Sequence, residues 1–332
     1  MSKKRIMCPW GTTFVHLTSR AVDRDFKFEA SEDKSMMRDL LRRTSDFSGV
    51  RVLTFAFMSN HFHILAAIPQ KPEEIPSNEV LRRIKILYED EALDAILQEW
   101  DRIEEEGGQE ALEAYADRFR RRMYDMGEYM KTYKQRVTQR YNKIHKRDGT
   151  LWEKRYYSNL IQGDPSGLAL RSIAAYIDLN PVRCGIVDDP ACYKFTGYGE
   201  AMSNDKDSQN GLKELFPPIG DGSWEDFDKE YRKLLYVSEE DREMPEVAKR
   251  IGNVSHARYP LPLFLRQTIR CLTDGLILGD KDFVNRVFQA YRGHFGPKRK
   301  TGARSIPYCP DWQGQVYAAR DLRKKPITIL TG

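Results

Sequence analysis

An almost unbroken run of strand-favouring apolar residues covers residues 55–69 and ends at a proline, which cannot continue a strand interior. Together with the apolar residues just before it, this run predicts two strands, at residues 50–57 and 61–68. Ser59-Asn60 has the composition of a turn. The pattern therefore predicts two neighbouring strands joined by a tight connection.

Two histidines, His61 and His63, interrupt the apolar run one residue apart. Since side chains alternate between the faces of a strand, both imidazoles point to one side and Phe62 points to the other. Two imidazoles on one face form half of a site for a divalent metal. The same pattern also fits two half-exposed histidines on an amphipathic strand, and the pair alone does not decide.

Apolar spacing predicts two further elements before this hairpin. Residues 12–18 form a first strand, in which His16 is either a structural residue or a third imidazole facing the metal half-site. Ser31 and the acidic residues after it begin a helix that Gly49 ends.

Residues 71–117 differ sharply in charge from their surroundings, with 15 Asp and Glu against 5 Lys and Arg. Their apolar residues recur at helical spacing. We therefore expect an inserted acidic helical segment at about residues 71–127. It is either a lid or acidic surface that keeps DNA in one groove, or a solvated helical decoration.

Residues 129–160 have the opposite charge, with 9 Lys and Arg against 2 acidic residues and 6 aromatic residues interleaved. Cations neutralise phosphates and exposed rings stack on unpaired bases, so this mixture favours a single strand or a hairpin stem with unpaired flanks. Helical spacing places Val137, Tyr141 and Ile144 toward the core, and other aromatic residues of the segment also fit core positions. The predicted DNA-binding residues of this segment are Lys134, Arg136, Arg140, Lys143, Arg147, Trp152, Lys154 and Arg155.

A short strand at residues 157–161 and a helix at 168–179, which closes before Pro181, follow the basic segment. Tyr176 and Asn180 stand four apart, so both lie on one helix face. That spacing presents a phenol nucleophile and an amide oxygen to the same point. Two histidines and an amide oxygen suit Mg²⁺ or Mn²⁺ better than a closed zinc site.

The order of these elements predicts the fold class. A strand, a helix, two strands, a helical segment, a strand and a final helix favour an α+β fold over residues 1–200. The expected architecture is a ferredoxin-like (RRM-like or palm) antiparallel sheet backed by helices.

Residues 201–332 are expected to form a mainly helical, partly basic extension, with a linker at residues 203–210. Its basic clusters are either phosphate contacts or a solvated tail. Predicted helices lie at 223–235, 262–271 and 282–291, and the basic clusters lie at 298–304 and 320–325.

Four segments of the chain resemble, in the same order, the single-tyrosine HUH transposases, and among them the REP-associated tyrosine transposases. The resemblance is specific because it joins four motifs over about residues 10–200. The segments are Phe14–Arg20 (FVHLTSR), Met58–His63 (MSNHFH), Gly149–Tyr156 (GTLWEKRY) and Tyr176–Gly185 (YIDLNPVRCG).

The resemblance implies a palm-like domain in which His61, His63 and Asn180 hold the metal and Tyr176 is the catalytic residue. Such an enzyme is a metal-dependent single-stranded DNA endonuclease and strand transferase. It cleaves near hairpin DNA such as REP-like palindromes, through a covalent 5′-phosphotyrosine. Arg183 either contacts DNA or anchors the helix end on carbonyl groups. The chain is expected to act as a monomer or a homodimer.

Composition indicates the cellular location and the kind of partner. The 5 cysteines of the 332 residues show no CxxC spacing, so neither a disulfide framework nor a zinc finger is indicated, and a reduced, nucleoid-associated cytoplasmic location is expected. No apolar run approaches the length of a membrane span, and the first residues lack the apolar core of a signal peptide. A formal net charge of +5 agrees with a nucleic-acid partner without proving one.

Two other functions remain open at this point. One is a non-catalytic or domesticated binder of hairpin nucleic acid, similar to a repressor. In such a protein His61, His63, Tyr176 and Asn180 would have no catalytic role. The other is a metal hydrolase that acts on small molecules, which would need further His or Asp ligands at short spacing and would leave the basic aromatic segment unused.

Overall fold

The computed structural model describes residues 5–164, 167–236, 265, 272, 276–306, 312 and 314–320, and every structural statement below concerns these residues. The strands are β1 (Thr13–Arg20), β2 (Arg51–Phe57), β3 (His61–Ile68), β4 (Tyr157–Ile161), β5 (Ile277–Gly279), β6 (Arg304–Ser305) and β7 (Tyr317–Ala318). They form one sheet in the order β2-β3-β1-β4-β5-β7-β6. Neighbouring strands are antiparallel except β4 and β5, which are parallel. The molecule is therefore an α+β protein, as predicted.

Ten α-helices accompany the sheet in the described part of the chain. They are α1 (Ser31–Ser48), α2 (Ser77–Leu87), α3 (Asp90–Arg120), α4 (Met126–Ile144), α5 (Leu168–Asp178), α6 (Asn180–Arg183), α7 (Gly197–Met202), α8 (Lys206–Lys213), α9 (Trp224–Leu235) and α10 (Lys281–Ala290). None of the described helices combines the length and the apolar character that crossing a membrane requires.

The predicted hairpin is confirmed: β2 and β3 pair antiparallel, and the connection between them runs from Met58 to Asn60. On its other side β3 pairs with β1, so His61 lies opposite Arg20 and His63 lies opposite Thr18. Because the two strands are antiparallel and in register, these four side chains emerge from the same face of the sheet.

The two faces of the sheet carry different helices. Helices α1 and α4 cover one face, where their apolar residues form a core with Val15, Leu17, Phe62 and Ile64. Helix α5 covers the opposite face and packs with α7, α8 and α9 in a second core. The histidines of β3 point toward α5, since Phe62 between them points toward α4. We call these the α4 face and the α5 face.

The predicted acidic segment is helical in the structure and has a small core of its own. Helices α2 and α3 pack around Trp100, Leu112 and Phe119, together with Phe47 of α1. Helix α3 changes direction at Gly108, which has a φ of 68° that favours glycine. The chain folds back there, so that the Trp100 and Tyr115 rings meet edge to face.

The region after residue 200 adds both helices and strands. Helices α9 and α10 agree with the predicted elements, and Ser223 caps α9 by accepting a hydrogen bond from the amide of Asp226. The linker prediction at residues 203–210 is wrong, because Asp205 caps α8 and the following turns bury Leu212. Strands β5, β6 and β7 are too short, at two or three residues, for alternation to show in the sequence.

Three smaller expectations differ from the structure or fall outside it. Ile144, expected in the core, is 52% exposed because it is the last residue of α4 and lies beyond the contact with the sheet, whereas Val137 and Tyr141 are buried. Helix α1 begins at Ser31 with Ala30 as its cap, and Gly49 ends it as predicted. The helix predicted at residues 262–271 and the basic residues 323–325 lie, except for Leu265, outside the described residues.

Candidate active site

Three histidines meet on the α5 face, where β1 and β3 run side by side. The rings of His16 and His63 are nearly parallel, with their centroids 5.0 Å apart, and the His61 ring stands edge-on to His63 at 5.1 Å. Strand alternation explains the arrangement, because every second residue of each strand points to this face. His16 faces the other two imidazoles, but both of its ring nitrogens form hydrogen bonds within the fold, which agrees with the structural interpretation of this residue.

A chain of hydrogen bonds determines which nitrogen of His63 is free. His16 Nδ1 donates to the carbonyl oxygen of Leu272 over 2.8 Å, so His16 Nε2 carries the lone pair in the neutral ring. His63 Nδ1 then donates to His16 Nε2, also over 2.8 Å. His63 Nε2 is left with an available lone pair. This is how a partner outside the ligand set orients a metal-binding histidine.

His61 is oriented in the same way by its neighbour in the chain. Its Nδ1 donates to Asn60 Oδ1 over 2.6 Å, which leaves Nε2 as the acceptor. Asn60 Nδ2 in turn donates to the carbonyl oxygen of Arg24. Asn60, which the sequence marked only as a turn residue, therefore connects His61 to the loop that follows β1.

All three imidazoles favour the neutral form. Burial lowers the pKa of His16 to about 4 and that of His61 to about 3, and it holds the pKa of His63 well below its usual value. The nearby guanidinium of Arg183 lowers each pKa further, and that of Arg20 adds to the effect at His61 and His63. Neutral rings with free Nε2 atoms are the form that coordinates a metal.

Asn180 completes the predicted ligand set. Its Nδ2 lies 3.4 Å from His61 Nε2, and a half-turn of the amide would bring Oδ1 to the same place. Across the described residues, no group of three or more His, Cys, Asp and Glu side chains could hold a metal ion. Mg²⁺ and Mn²⁺ accept oxygen ligands such as an amide, and their binding by His61, His63 and Asn180 stays a prediction.

Tyr176 lies beside the histidines but is covered. Its ring stands edge-on to His63, with the centroids 6.3 Å apart, and only 3% of the residue is exposed. The guanidinium of Arg183 lies over the ring at 3.7 Å. Arg183 also donates to the carbonyl oxygens of Tyr176 and Leu265. The geometry of Arg183 agrees with the helix-anchoring interpretation rather than with a DNA contact.

A buried carboxylate anchors the helix that carries Tyr176. Asp178 accepts hydrogen bonds from Thr54 Oγ1 (2.8 Å), the Tyr198 amide (3.2 Å) and Tyr231 Oη (2.6 Å). No described cation pairs with it, and burial raises its pKa to about 7. Asp178 thus connects α5 to β2, α7 and α9, and sequence reasoning missed it because all of its partners are distant in the chain.

The predicted DNA-binding residues lie mainly on the α4 face, away from the histidines. Trp152 packs edge to face on Phe62 and donates from Nε1 to Thr138 Oγ1 over 3.0 Å. The buried Lys134 ammonium donates to the carbonyl oxygens of Lys154 and Arg155. These two side chains hold the 150–156 segment against α4.

The remaining predicted cations differ in exposure. Arg136 is partly buried and lies over the Tyr88 ring at 4.8 Å, and Arg147 lies over Tyr141 at 5.7 Å. The exposed members of the predicted set are Arg140, Lys143, Lys154 and Arg155. Lys154 and Arg155 line a cavity of about 620 Å³ between α4 and the 150–156 segment. Their role in DNA binding stays a prediction.

Comparison with known proteins adds little to this geometry. No protein-family model matches the chain, and neither does any curated protein. A search of solved structures finds a resemblance to a REP-associated tyrosine transposase bound to a REP hairpin, at 13% identity and a TM-score of 0.38. The match covers 67% of this chain and 93% of that chain. A resemblance this distant assigns no function to the chain.

Proposed function

We propose that this protein is a metal-dependent single-stranded DNA endonuclease and strand transferase of the transposase type. In this proposal Tyr176 is the nucleophile, and His61, His63 and Asn180 hold Mg²⁺ or Mn²⁺. The substrate is single-stranded DNA near a hairpin or palindrome, and the product is a covalent 5′-phosphotyrosine.

The observation that carries the proposal is the convergence of four separately predicted residues. His61 and His63 come from β3, and Tyr176 and Asn180 come from a helix and turn more than a hundred positions later. The Tyr176 ring nevertheless lies edge-on to His63, and Asn180 contacts His61 Nε2. Two neutral imidazoles and an amide can hold a metal ion beside a phenol, which is the arrangement for metal-assisted attack of the phenol on a phosphodiester.

The topology supports the same proposal. The first four strands lie in the order β2-β3-β1-β4, all antiparallel, with α1 between β1 and β2 and α4 before β4. This order agrees with the split βαβ arrangement of the proposed ferredoxin-like or palm domain. The proposed site then lies on the sheet face opposite the two helices of that pattern.

The proposed reaction conserves the energy of the cleaved bond. Tyr176 Oη loses its proton and bonds to phosphorus, the bond from phosphorus to the 3′-oxygen breaks, and that oxygen leaves as a hydroxyl. The 5′-phosphate stays on the tyrosine until another 3′-hydroxyl reverses the step. When bound, the divalent ion would add positive charge beside the non-bridging phosphate oxygens. His16 and Asn60 accept hydrogen bonds from the Nδ1 atoms of His63 and His61, which leaves the Nε2 lone pairs available to the ion.

A second candidate, a non-catalytic binder of hairpin nucleic acid, is favoured by the cover over Tyr176. Arg183 lies directly on the phenol ring and is held by two carbonyl groups. Because only 3% of Tyr176 is exposed, attack on phosphorus requires part of this cover to move, whereas binding alone requires no movement.

Transfer of a DNA label to the protein separates these functions. Labelled hairpin oligonucleotides from the DNA flanking the gene are incubated with the protein and Mn²⁺ or Mg²⁺, then analysed on a denaturing protein gel. We expect a labelled protein band that disappears with a chelator and in Tyr176→Phe.

Tyr157→Phe is the matched control, because Tyr157 is an exposed tyrosine on the same sheet face, opposite Thr18. It should retain the labelled band. Loss of the band in Tyr157→Phe but not in Tyr176→Phe would assign the nucleophile to Tyr157. Tight binding of several hairpins without a band in either metal would favour the binding protein.

A further inference from the structure

Next to the histidines, an exposed phenyl ring and two guanidinium groups surround an open cavity of about 500 Å³. The cavity borders His61 on one side. Phe26, Arg20 and Arg24 line one part of its wall, and Ile186 lines another. None of these four residues belongs to the metal-binding or nucleophilic set of the proposed function.

Phe26 is unusual for its exposure. It is 65% exposed, the highest value among the large apolar side chains of the described residues, and Ile186 in the same cavity is 46% exposed. Single apolar residues on a surface are common and need no explanation. Here, however, two of them lie in one concave site that also contains guanidinium groups, which is the composition of a site for a flat, partly apolar anion.

The loop that carries Phe26 is held in a strained conformation. Asp23 and Arg24 both have positive φ values, 58° and 60°, which non-glycine residues rarely adopt. Hydrogen bonds to both ends of the β2–β3 turn hold the loop: Asn60 Nδ2 donates to the Arg24 carbonyl, and the Phe28 amide donates to the Ser59 carbonyl. The loop is thus fixed to the same turn that orients His61.

The charges around the cavity favour a phosphate. No ion pair or side-chain hydrogen bond is found within the described residues for the guanidinium groups of Arg20 and Arg24, and both residues are exposed. Arg183 adds a buried positive charge at the wall, and Glu29 is the one acidic residue among those that line the cavity. An anion would therefore meet more positive than negative charge.

We infer that this cavity binds one unpaired nucleotide of single-stranded DNA, with its base on Phe26 and its phosphate between Arg20 and Arg24. A base offers a flat face to a phenyl ring regardless of its identity, and a paired base would keep that face inside the duplex. The inference rests on the proposed function only in identifying the strand as the one that His61 and Tyr176 process.

The test compares two exposed aromatic residues in the full-length Tyr176→Phe protein. Anisotropy of a labelled ten-nucleotide oligo-dT measures the dissociation constant without metal. We expect Phe26→Ala to raise it about tenfold, which corresponds to about 1.4 kcal/mol and lies within the range for stacking of one base. Phe26→Tyr should bind like the parent. Trp10→Ala is the matched control, since Trp10 is exposed at another cavity beside Arg286.

Two further measurements locate the phosphate and the strand type. Arg24→Gln should lower the slope of log affinity against log salt by about 0.7, the value for one phosphate contact on a single strand. A blunt ten-base-pair duplex should bind Phe26→Ala and its parent equally.

Unchanged oligo-dT binding by Phe26→Ala, or an equal loss for single strand and duplex, would overturn the inference. The two proposals fail separately. If the labelled adduct forms but Phe26→Ala binds normally, the nucleotide site is wrong and the catalytic proposal stands. If Phe26→Ala weakens binding but no adduct forms in either metal, the nucleotide site stands and the catalytic proposal is wrong.

Discussion

Both faces of the central sheet bury polar side chains, and on each face these side chains form hydrogen bonds within the fold. On the α4 face, Trp152 and Lys134, whose types suggest DNA binding, are buried and satisfied by hydrogen bonds within the fold. On the α5 face, His16, His63 and Asp178 are buried in hydrogen-bonded networks. Residue type alone therefore does not show which polar side chains are buried on either face, whereas the hydrogen-bond partners of each polar group do.

The comparison also separates what holds the protein together from what it can do. The α4 face is a core of interlocking aromatic rings, in which Phe62 contacts both Tyr133 and Trp152 edge to face. The α5 face has fewer rings at its centre and instead positions nitrogen and oxygen atoms with free lone pairs. Substitutions in the aromatic core of the first face should mainly change stability, and substitutions at the histidines of the second face should mainly change ligand binding.

Trp152→Ala tests the first half of this contrast and should have the largest effect. Removing a buried indole ring that packs on Phe62 and Phe28 should lower the free energy of unfolding by about 3–5 kcal/mol. Chemical denaturation measures the loss. The exposed Trp10→Ala should change stability by less than about 1 kcal/mol. Normal stability with weakened DNA binding in Trp152→Ala would instead make the ring a stacking surface.

Asp178 predicts a pH dependence of stability from the α5 face. Burial raises the pKa of its carboxyl to about 7 in the folded protein, against about 3.9 in the unfolded chain. Between about pH 4 and about pH 7 the Asp178 carboxyl therefore holds a proton in the folded protein but not in the unfolded chain. Its contribution to the free energy of unfolding falls as pH rises through this range. The full decrease is about 4 kcal/mol, and it should not continue above pH 8.

Asp178→Asn isolates this effect from the histidines, whose lowered pKa values act in the opposite direction over part of the same range. The amide keeps an acceptor for Thr54 and for the Tyr198 amide, and its nitrogen can donate to Tyr231 Oη. At pH 7 the variant should have the higher free energy of unfolding. Its advantage over the parent should shrink steadily on acidification to pH 4. A pH-independent difference would mean that Asp178 stays ionised.

His16→Ala tests whether the hydrogen-bond chain on the α5 face positions a metal ligand, and it should have the smallest effect. Without His16, no side chain accepts from His63 Nδ1, and Mn²⁺ affinity should fall 10- to 100-fold. Electron paramagnetic resonance of free Mn²⁺ measures the affinity independently of cleavage. His16→Gln, which can both accept and donate, should lose less. Unchanged Mn²⁺ affinity in His16→Ala would show that His63 needs no support from β1.

Local patterns in the sequence predicted many of the elements. The hairpin around Asn60, helix α5 and the capped start of α9 each follow from a few neighbouring residues, because turn chemistry, helical spacing and capping act over three or four positions. The short strands β5 to β7 were not predicted, because their formation depends on pairing with distant partners rather than on their own residues. Helix α8 was also missed, although the Asp205 cap at its start is local.

The candidate site also contains some residue pairs that the sequence predicts and others that it does not. Pairs such as His61 with His63, and Tyr176 with Asn180, are visible in the sequence because one strand or one helix turn relates them. The link from His63 through His16 to Leu272 spans 47 and then 256 positions, and the contact between Asp178 and Tyr231 spans 53. No local sequence pattern predicts contacts between residues this far apart in the chain.

The sequence by itself determined which short elements form and which side chains share a face within each of them, since backbone geometry and hydrogen bonding set these over a few residues. Only the tertiary structure decided that the α5 face gathers the histidines, Tyr176 and Asn180, and that the basic helix α4 lies behind the sheet. The reason is physical: strand order and helix packing depend on which apolar surfaces meet when the whole chain folds, and contacts between distant residues come into existence only then.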